Sequence, residues 1–171
     1  VDISNSSYYM DPYAFWMPNE ASQAAGLEVA TRAVRYAKLH GVVNFAAEGN
    51  SNDDHDNPTI DKDSPNDVEG AAVERNVAGG IDVPAMLNDS VLSVSALKLP
   101  TGTDPATAKL ERAGFSNFGT TSVDVAAPGQ RIWSTMPTWE KDPPFGYLSG
   151  TSMASPHAAG VAALIKQIHP D

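Results

Sequence analysis

Hydrophobic positions along the chain fall into two stretches of helical spacing and several short alternating runs. Leu27, Ala30, Val34 and Ala37 recur at intervals of three and four, which predicts a helix with one apolar face from Asn19 or Ser22 to about Leu39. Lys38 and His40 stand where the helix dipole favours cations, and Gly41 suits the C-terminal cap. Residues 1–9 read as a short strand ending in two aromatics, and residues 42–47 as a mostly apolar strand. Strand, helix and strand joined by a short turn form a βαβ unit, so a parallel sheet with a right-handed crossover is expected. Residues 91–97 alternate as a further strand. Residues 132–136 and 145–148 read as a hairpin, with Trp139 and the Pro143-Pro144 tip at the surface.

The densest apolar stretch comes last. Ala154, Ala158, Val161, Ala162, Leu164, Ile165 and Ile168 leave almost no polar face, so this second helix is expected to be covered on most sides. Pro156 is read as a first-turn residue, where its missing N–H costs nothing. His169-Pro170 stops the helix, because the residue before a proline is pushed out of the α region. Ser152 therefore lies at the positive end of a helix dipole, which favours a developing alkoxide or oxyanion.

The totals narrow the classes. A length of 171 residues is one domain's worth of chain. A formal net charge of −10 argues against nucleic acid and anionic membrane as partners, which require Lys and Arg. With no cysteine there is no disulfide framework and no thiol nucleophile. The run 158–168 is too short to span a membrane.

The segment Gly150-Thr151-Ser152-Met153-Ala154-Ser155-Pro156-His157, followed by Ala-Ala-Gly, resembles the nucleophile motif of subtilisin-like serine proteases (subtilases). The fifth position, Ala154, departs from the Gly-x-Ser-x-Gly elbow of α/β-hydrolases. By this resemblance Ser152 is the attacking serine. Ala46-Ala47-Glu48-Gly49-Asn50 is similar to the family's oxyanion strand, which assigns Asn50 as the amide donor to the tetrahedral intermediate. Asn5 and Ser7 match the strand that runs beside the substrate. Residues 115–119 and 123–129 match further family segments and are read as structural. The resemblance implies a three-layer α/β/α fold with a mostly parallel sheet, and substrate contacts from Ser7, Tyr8, Tyr9, Ala47, Glu48 and Gly49. Tyr8 and Tyr9 replace small residues, so they either reshape the first specificity pocket or pack the strand end. Glu48 also replaces a small residue; it either faces a pocket and favours a basic substrate side chain, or is turned away by strand alternation. The family often carries a cis proline before the 91–97 strand, and Pro84 is the candidate.

A serine hydroxyl needs a base and a group to orient that base. The family's Asp and His motifs are absent here. His40 and His169 lie at helix ends. His157 shares Ser152's helix and is not positioned to swing to its hydroxyl. His55 is rejected as a base because it falls in an acidic, flexible loop, 51–80, which reads as an insertion. The carboxylates of that loop either stay solvated or hold structural calcium; the chemistry itself requires no cofactor. The matched segments follow the order of the family's C-terminal half, so the whole chain, 1–171, is expected to be that portion of a subtilase catalytic domain. Alone it is expected to be inactive, and to be unstable or to pair with a partner, foremost the N-terminal half. The function implied is serine endopeptidase action on polypeptide, in a secreted protein. The alternative is a non-catalytic segment that binds peptides by strand addition at residues 7–9.

Overall fold

Four parallel strands form the central layer of the computed structural model, which describes all of residues 1–171 except Thr101, Pro105, Lys141 and Asp171. In chain order the elements are β1 (Ile3–Ser6), α1 (Ala21–Leu39), β2 (Val43–Ala47), β3 (Ile60–Asp61), β4 (Arg75–Asn76), β5 (Leu92–Lys98), β6 (Glu111–Arg112), β7 (Val125–Pro128), β8 (Ile132–Thr135), β9 (Phe145–Leu148) and α2 (Thr151–Ile168). The order across the sheet is β1-β2-β5, with β7 parallel on the far side of β5 and β6 antiparallel at its end. Asn5 faces Phe45 in register, and Phe45 in turn faces Leu92.

Side-chain alternation separates the two faces of this sheet. Phe45, Val94 and Ala96 pack with Ala154 and Ala159 of α2. Ala46 packs on the opposite face with Ala85, Val91 and Val34 of α1. The result is a three-layer α/β/α arrangement, mostly parallel, as the resemblance implied. Leu27 of α1 joins Trp16 and Val83 in a third cluster, which anchors the loop after β1.

Four differences from the sequence reading bear on the site. First, β1 stops at Ser6, so residues 7–9 lie beyond the strand. The chain there is drawn off instead by Met10 N–H, which donates to Val83 O at 2.8 Å. The bond before Pro84 is cis, as are those before Pro12, Pro65 and Pro143.

Second, Pro156 is the sixth residue of α2, not part of its first turn. Its missing N–H would have bonded the carbonyl of Ser152, and Ser7 Oγ donates to that carbonyl instead, at 2.9 Å.

Third, only the N-terminal half of α2 is covered. Thr151, Ala154, Ser155 and Ala159 are buried, whereas Val161, Leu164, Ile165 and Ile168 are exposed. The apolar pattern is real, but among the described residues nothing packs on that end.

Fourth, 51–80 is more than a solvated loop. β3 and β4 pair in an antiparallel ribbon, and His55, Asp61, Ser64 and Val77 are buried. Asp61 meets Arg75 at 2.7 Å, and this guanidinium with two further hydrogen bonds holds its carboxyl below the usual range despite burial. Asp56 accepts hydrogen bonds from Thr120, Thr121 and Ser122, fixing the loop before β7. Those bonds lower its pKa strongly. Acidic residues expected to face water are thus committed to backbone amides and hydroxyls.

Candidate active site

The site forms where β2 ends against the start of α2. Thr151, the first residue of α2, donates its N–H to Asn50 Oδ1 at 2.8 Å and its hydroxyl to the same oxygen at 3.1 Å. Thr151 Oγ1 also accepts the N–H of Gly49 at 3.0 Å. The Asn50 carbonyl oxygen is therefore fully occupied, which fixes the plane of the amide. Among the described residues Asn50 Nδ2 has no acceptor, and the residue is exposed. The N–H of Ser152, in the first turn of α2, has no acceptor within the helix. Asn50 and Ser152, which carry these two donors, line the same cavity.

Asn117 holds the backbone on both sides of Gly49-Asn50. Its Oδ1 accepts the N–H groups of Ser51 and Asp53 at 2.9 and 3.0 Å, and its Nδ2 donates to Glu48 O at 3.0 Å. Gly49 has φ +103°, and a Cβ there would stand 2.3 Å from Asn117 Nδ2. Only glycine permits this approach.

On the other wall, Ser7 and Ser152 bond reciprocally: Ser7 Oγ to Ser152 O at 2.9 Å, and Ser152 Oγ to Ser7 O at 3.3 Å. Asn5 links β1 to α2, accepting from Ser155 Oγ at 2.6 Å and donating to Ser7 Oγ at 2.9 Å.

A cavity of about 270 Å³ adjoins these groups. Its lining includes Ser7, Tyr8, Tyr9, Ala47, Gly49 and Asn50 together with Thr151 and Ser152. Most of the residues singled out from the sequence are thus brought together here. Glu48 is not among them. Strand alternation turns it to the other face of the sheet, where it is fully buried beside His55. Two residues that were not singled out, Asp11 and Asp82, line the cavity instead. The sequence signal for Asp82 was a lone acid inside the apolar run Ile81-Asp82-Val83-Pro84.

His55 is a buried residue, not part of a flexible loop. Its Nδ1 lies 2.7 Å from Glu48 Oε1 without hydrogen-bond alignment, a contact that is charged only when the ring is protonated. Its Nε2 lies 2.9 Å from Asn117 Nδ2. Because Asn117 Oδ1 already accepts two amides, its Nδ2 must face the ring, so Nε2 is the acceptor and the proton sits on Nδ1. Burial opposes a charge on His55, but Glu48, Asp82 and Asp53 outweigh it and raise the pKa. Burial raises that of Glu48, with His55 opposing. His55 makes no hydrogen bond with Ser152; its ring packs edge-on against Phe15, with centroids 5.3 Å apart.

His157 also stays off the Ser152 hydroxyl, its Nδ1 lying 2.7 Å from Met153 O. Among the described residues no histidine hydrogen-bonds Ser152 Oγ. No group of three or more His, Asp or Glu side chains suited to a metal ion occurs among them either.

This geometry, a serine at a helix N-terminus beside a strand-end amide, defines a subtilisin-like α/β protein. The chain belongs to the subtilase family (Peptidase_S8), whose model matches residues 1–171. It is 31% identical over 163 residues to Subtilisin Savinase of Lederbergia lenta, covering 91% of this chain and 46% of that protein. It is 43% identical over 117 residues to the minor extracellular protease Vpr of Bacillus subtilis, covering 57% of this chain and 14% of Vpr. The crystal structure of the epidermin leader peptide processing serine protease of Staphylococcus aureus shares the fold, with TM-score 0.66 and 24% identity over 96% of this chain and 40% of that one. The chain thus spans less than half the length of these relatives.

Proposed function

We propose that this chain supplies the nucleophile and oxyanion site of a secreted serine endopeptidase. Ser152 Oγ attacks a peptide carbonyl of a polypeptide substrate as its proton passes to a base. Negative charge collects on the carbonyl oxygen, between Asn50 Nδ2 and the Ser152 N–H. The carbon–nitrogen bond then breaks as the amine takes that proton, and water hydrolyses the acyl-serine. The base and its orienting acid come from the part of the domain that the relatives possess and this chain does not span. The reading rests on one observation above all: Thr151 engages the Asn50 carbonyl and leaves its N–H₂ without an acceptor among the described residues, in a residue that lines the same cavity as Ser152. Kinship with extracellular proteases supports secretion.

The second reading, peptide capture without hydrolysis, is favoured by the lack of a histidine at Ser152 Oγ among the described residues. Fluorophosphonate labelling decides between them. Under the first reading Ser152 is labelled in the complete protein and not in this chain alone. An unlabelled Ser152 in the complete protein would reject the first.

A further inference from the structure

The cavity beside Ser152 contains a buried acid with no hydrogen-bond donor of its own among the described residues. Asp82 is 6% exposed, and its Oδ1 accepts no hydrogen bond from any described residue. It lines the same cavity as Ser152 and Asn50. Its Oδ2 stands 3.8 Å from His55 Nε2, which the Asn117 contact defines as an unprotonated nitrogen. In that tautomer the neighbour donates no hydrogen bond to Asp82, and at 3.8 Å it acts on the carboxyl only through its charge when protonated. A carboxylate buried without a donor is costly, and positions where one is kept are commonly sites for a partner group.

The position of the cavity says which part of a substrate enters it. A residue whose carbonyl lies between Ser152 Oγ and Asn50 Nδ2 carries its own side chain beside both groups. This is the cavity lined by both. The second cleft at Ser152, between Trp133, Leu148 and Met153, does not include Asn50. At about 270 Å³ the first cavity is sized for one side chain, below the volumes usual for larger ligands.

We infer that this cavity is a recognition site for a lysine or arginine side chain on the acyl side of the scissile bond, with Asp82 as its counter-ion and Asp11 at the rim. The inference rests on the proposed role of Ser152 and names the substrate residue that role acts on. The surrounding charges agree with it. The acids lining the cavity are Asp11 and Asp82; Glu48 and Asp53 act on Asp82 through their charge from outside it, and His55 is the basic group, 3.8 Å from Asp82. Asn66 Nδ2 donates to Asp11 Oδ1 at 2.9 Å and to the Tyr9 hydroxyl, so the acidic rim is held in place. Tyr9 has its pKa raised by burial and by Asp11, so it adds no charge at neutral pH. An anionic side chain would meet uncompensated acids, and an apolar one would leave Asp82 unpaired.

Burial pushes the Asp82 carboxyl up to about 7; His55 opposes this, while Glu48 and Asp53 add to it. The carboxyl therefore gains its charge as pH rises through about 7, and selectivity for a cation should strengthen from pH 6 to pH 8.

Binding can be measured without chemistry. Fluorescent peptides ending in a free arginine, lysine, norleucine or glutamate, which represent acyl products, are titrated into the complete protein. The arginine and lysine peptides are expected to bind about 10-fold or more tighter than norleucine at pH 8, in line with a charge-assisted bond. This ratio should shrink at pH 6 and collapse in Asp82→Asn, with Asp82→Glu restoring part of it. Norleucine or glutamate binding as well as arginine would overturn the inference, and so would no binding by any of the four at millimolar concentration. Fluorophosphonate labelling of Ser152 in the same preparation reports separately on the hydrolase reading. A labelled enzyme with no cationic preference sinks only the pocket assignment, whereas a cationic preference without labelling sinks only the hydrolase.

Discussion

Ser7 and Ser152 hold each other through two hydrogen bonds, hydroxyl to carbonyl in each direction, at 2.9 and 3.3 Å. One of the two exists because of Pro156. The proline removes the helical N–H that would have bonded the Ser152 carbonyl, and Ser7 fills the vacancy. The sequence Ser-x-x-x-Pro in α2 thus ties the nucleophile's backbone to the segment after β1. That tie keeps Ser152 at a fixed distance from the cavity wall.

This coupling is measurable by a double-mutant cycle. Ser7→Ala should destabilise the folded chain by about 1 kcal/mol, the ordinary net worth of a hydrogen bond. In a Pro156→Ala background, where the helical N–H returns, the same change should cost less than about half as much. Equal costs in the two backgrounds, read by denaturant melts, would show that the proline and the serine are independent.

The turn at Gly49 is the most constrained backbone position in the site. Gly49→Ala places a methyl group 2.3 Å from Asn117 Nδ2, at a φ of +103°. Strain of this kind costs about 1–3 kcal/mol. Asn117 also orders the amides of Ser51 and Asp53, so the loss should extend to the active site. A thermal melt and the labelling rate of Ser152 should both fall; a variant matching the parent in both would contradict the close packing.

The buried acids set a pH dependence. Asp82 titrates near 7 when folded and near the ordinary aspartate value of 3.8 when unfolded. Between these values the folded state binds more protons, so stability is greatest at the low end and falls as pH rises through 7. Glu48 is raised too, mainly by burial, and contributes with the same sign. His55 is also raised, so its contribution is held below its unfolded pKa and lost as pH rises through the folded one. Asp61, lowered by Arg75, works in the opposite sense and is lost only in strong acid. Denaturant midpoints should therefore decline from about pH 5 to pH 8, with Asp82→Asn flattening the decline. A midpoint that rises across this window would show that Asp82 is paired.

The exposed end of α2 makes a prediction about the chain by itself. Val161, Leu164, Ile165 and Ile168 form an apolar patch on one helix end. Patches of this kind drive association. Sedimentation of the isolated chain should show self-association that Leu164→Lys with Ile168→Lys reduces. A monomer with a sharp cooperative melt would refute it.

Much of the architecture was legible because the patterning is regular. The 3.6-residue period of α1, the alternation in β5 and the apolar run of β2 each follow from which face is buried. The nucleophile motif was legible because small residues and a proline recur at fixed offsets around Ser152. What the sequence concealed was set by contacts between distant segments. Glu48 and His55 are seven positions apart in an acidic stretch, yet both are buried, because Asn117 reaches in from a distant turn. Asp82 is not legible in the sequence because a single acid in an apolar run has no periodicity to betray it. The uncovered end of α2 could not be foreseen from its own pattern, since periodicity says which face is apolar and not what covers it.

The central claim is that Ser152 and Asn50 act on one carbonyl group. The direct measurement is the rate of fluorophosphonate labelling at Ser152 in the complete protein, with Asn50→Ala beside the parent. Loss of one hydrogen bond to a developing anion is worth about 1.5–3 kcal/mol, so the rate should fall by roughly 10- to 100-fold while the protein remains folded. An unchanged rate in the variant would contradict the account.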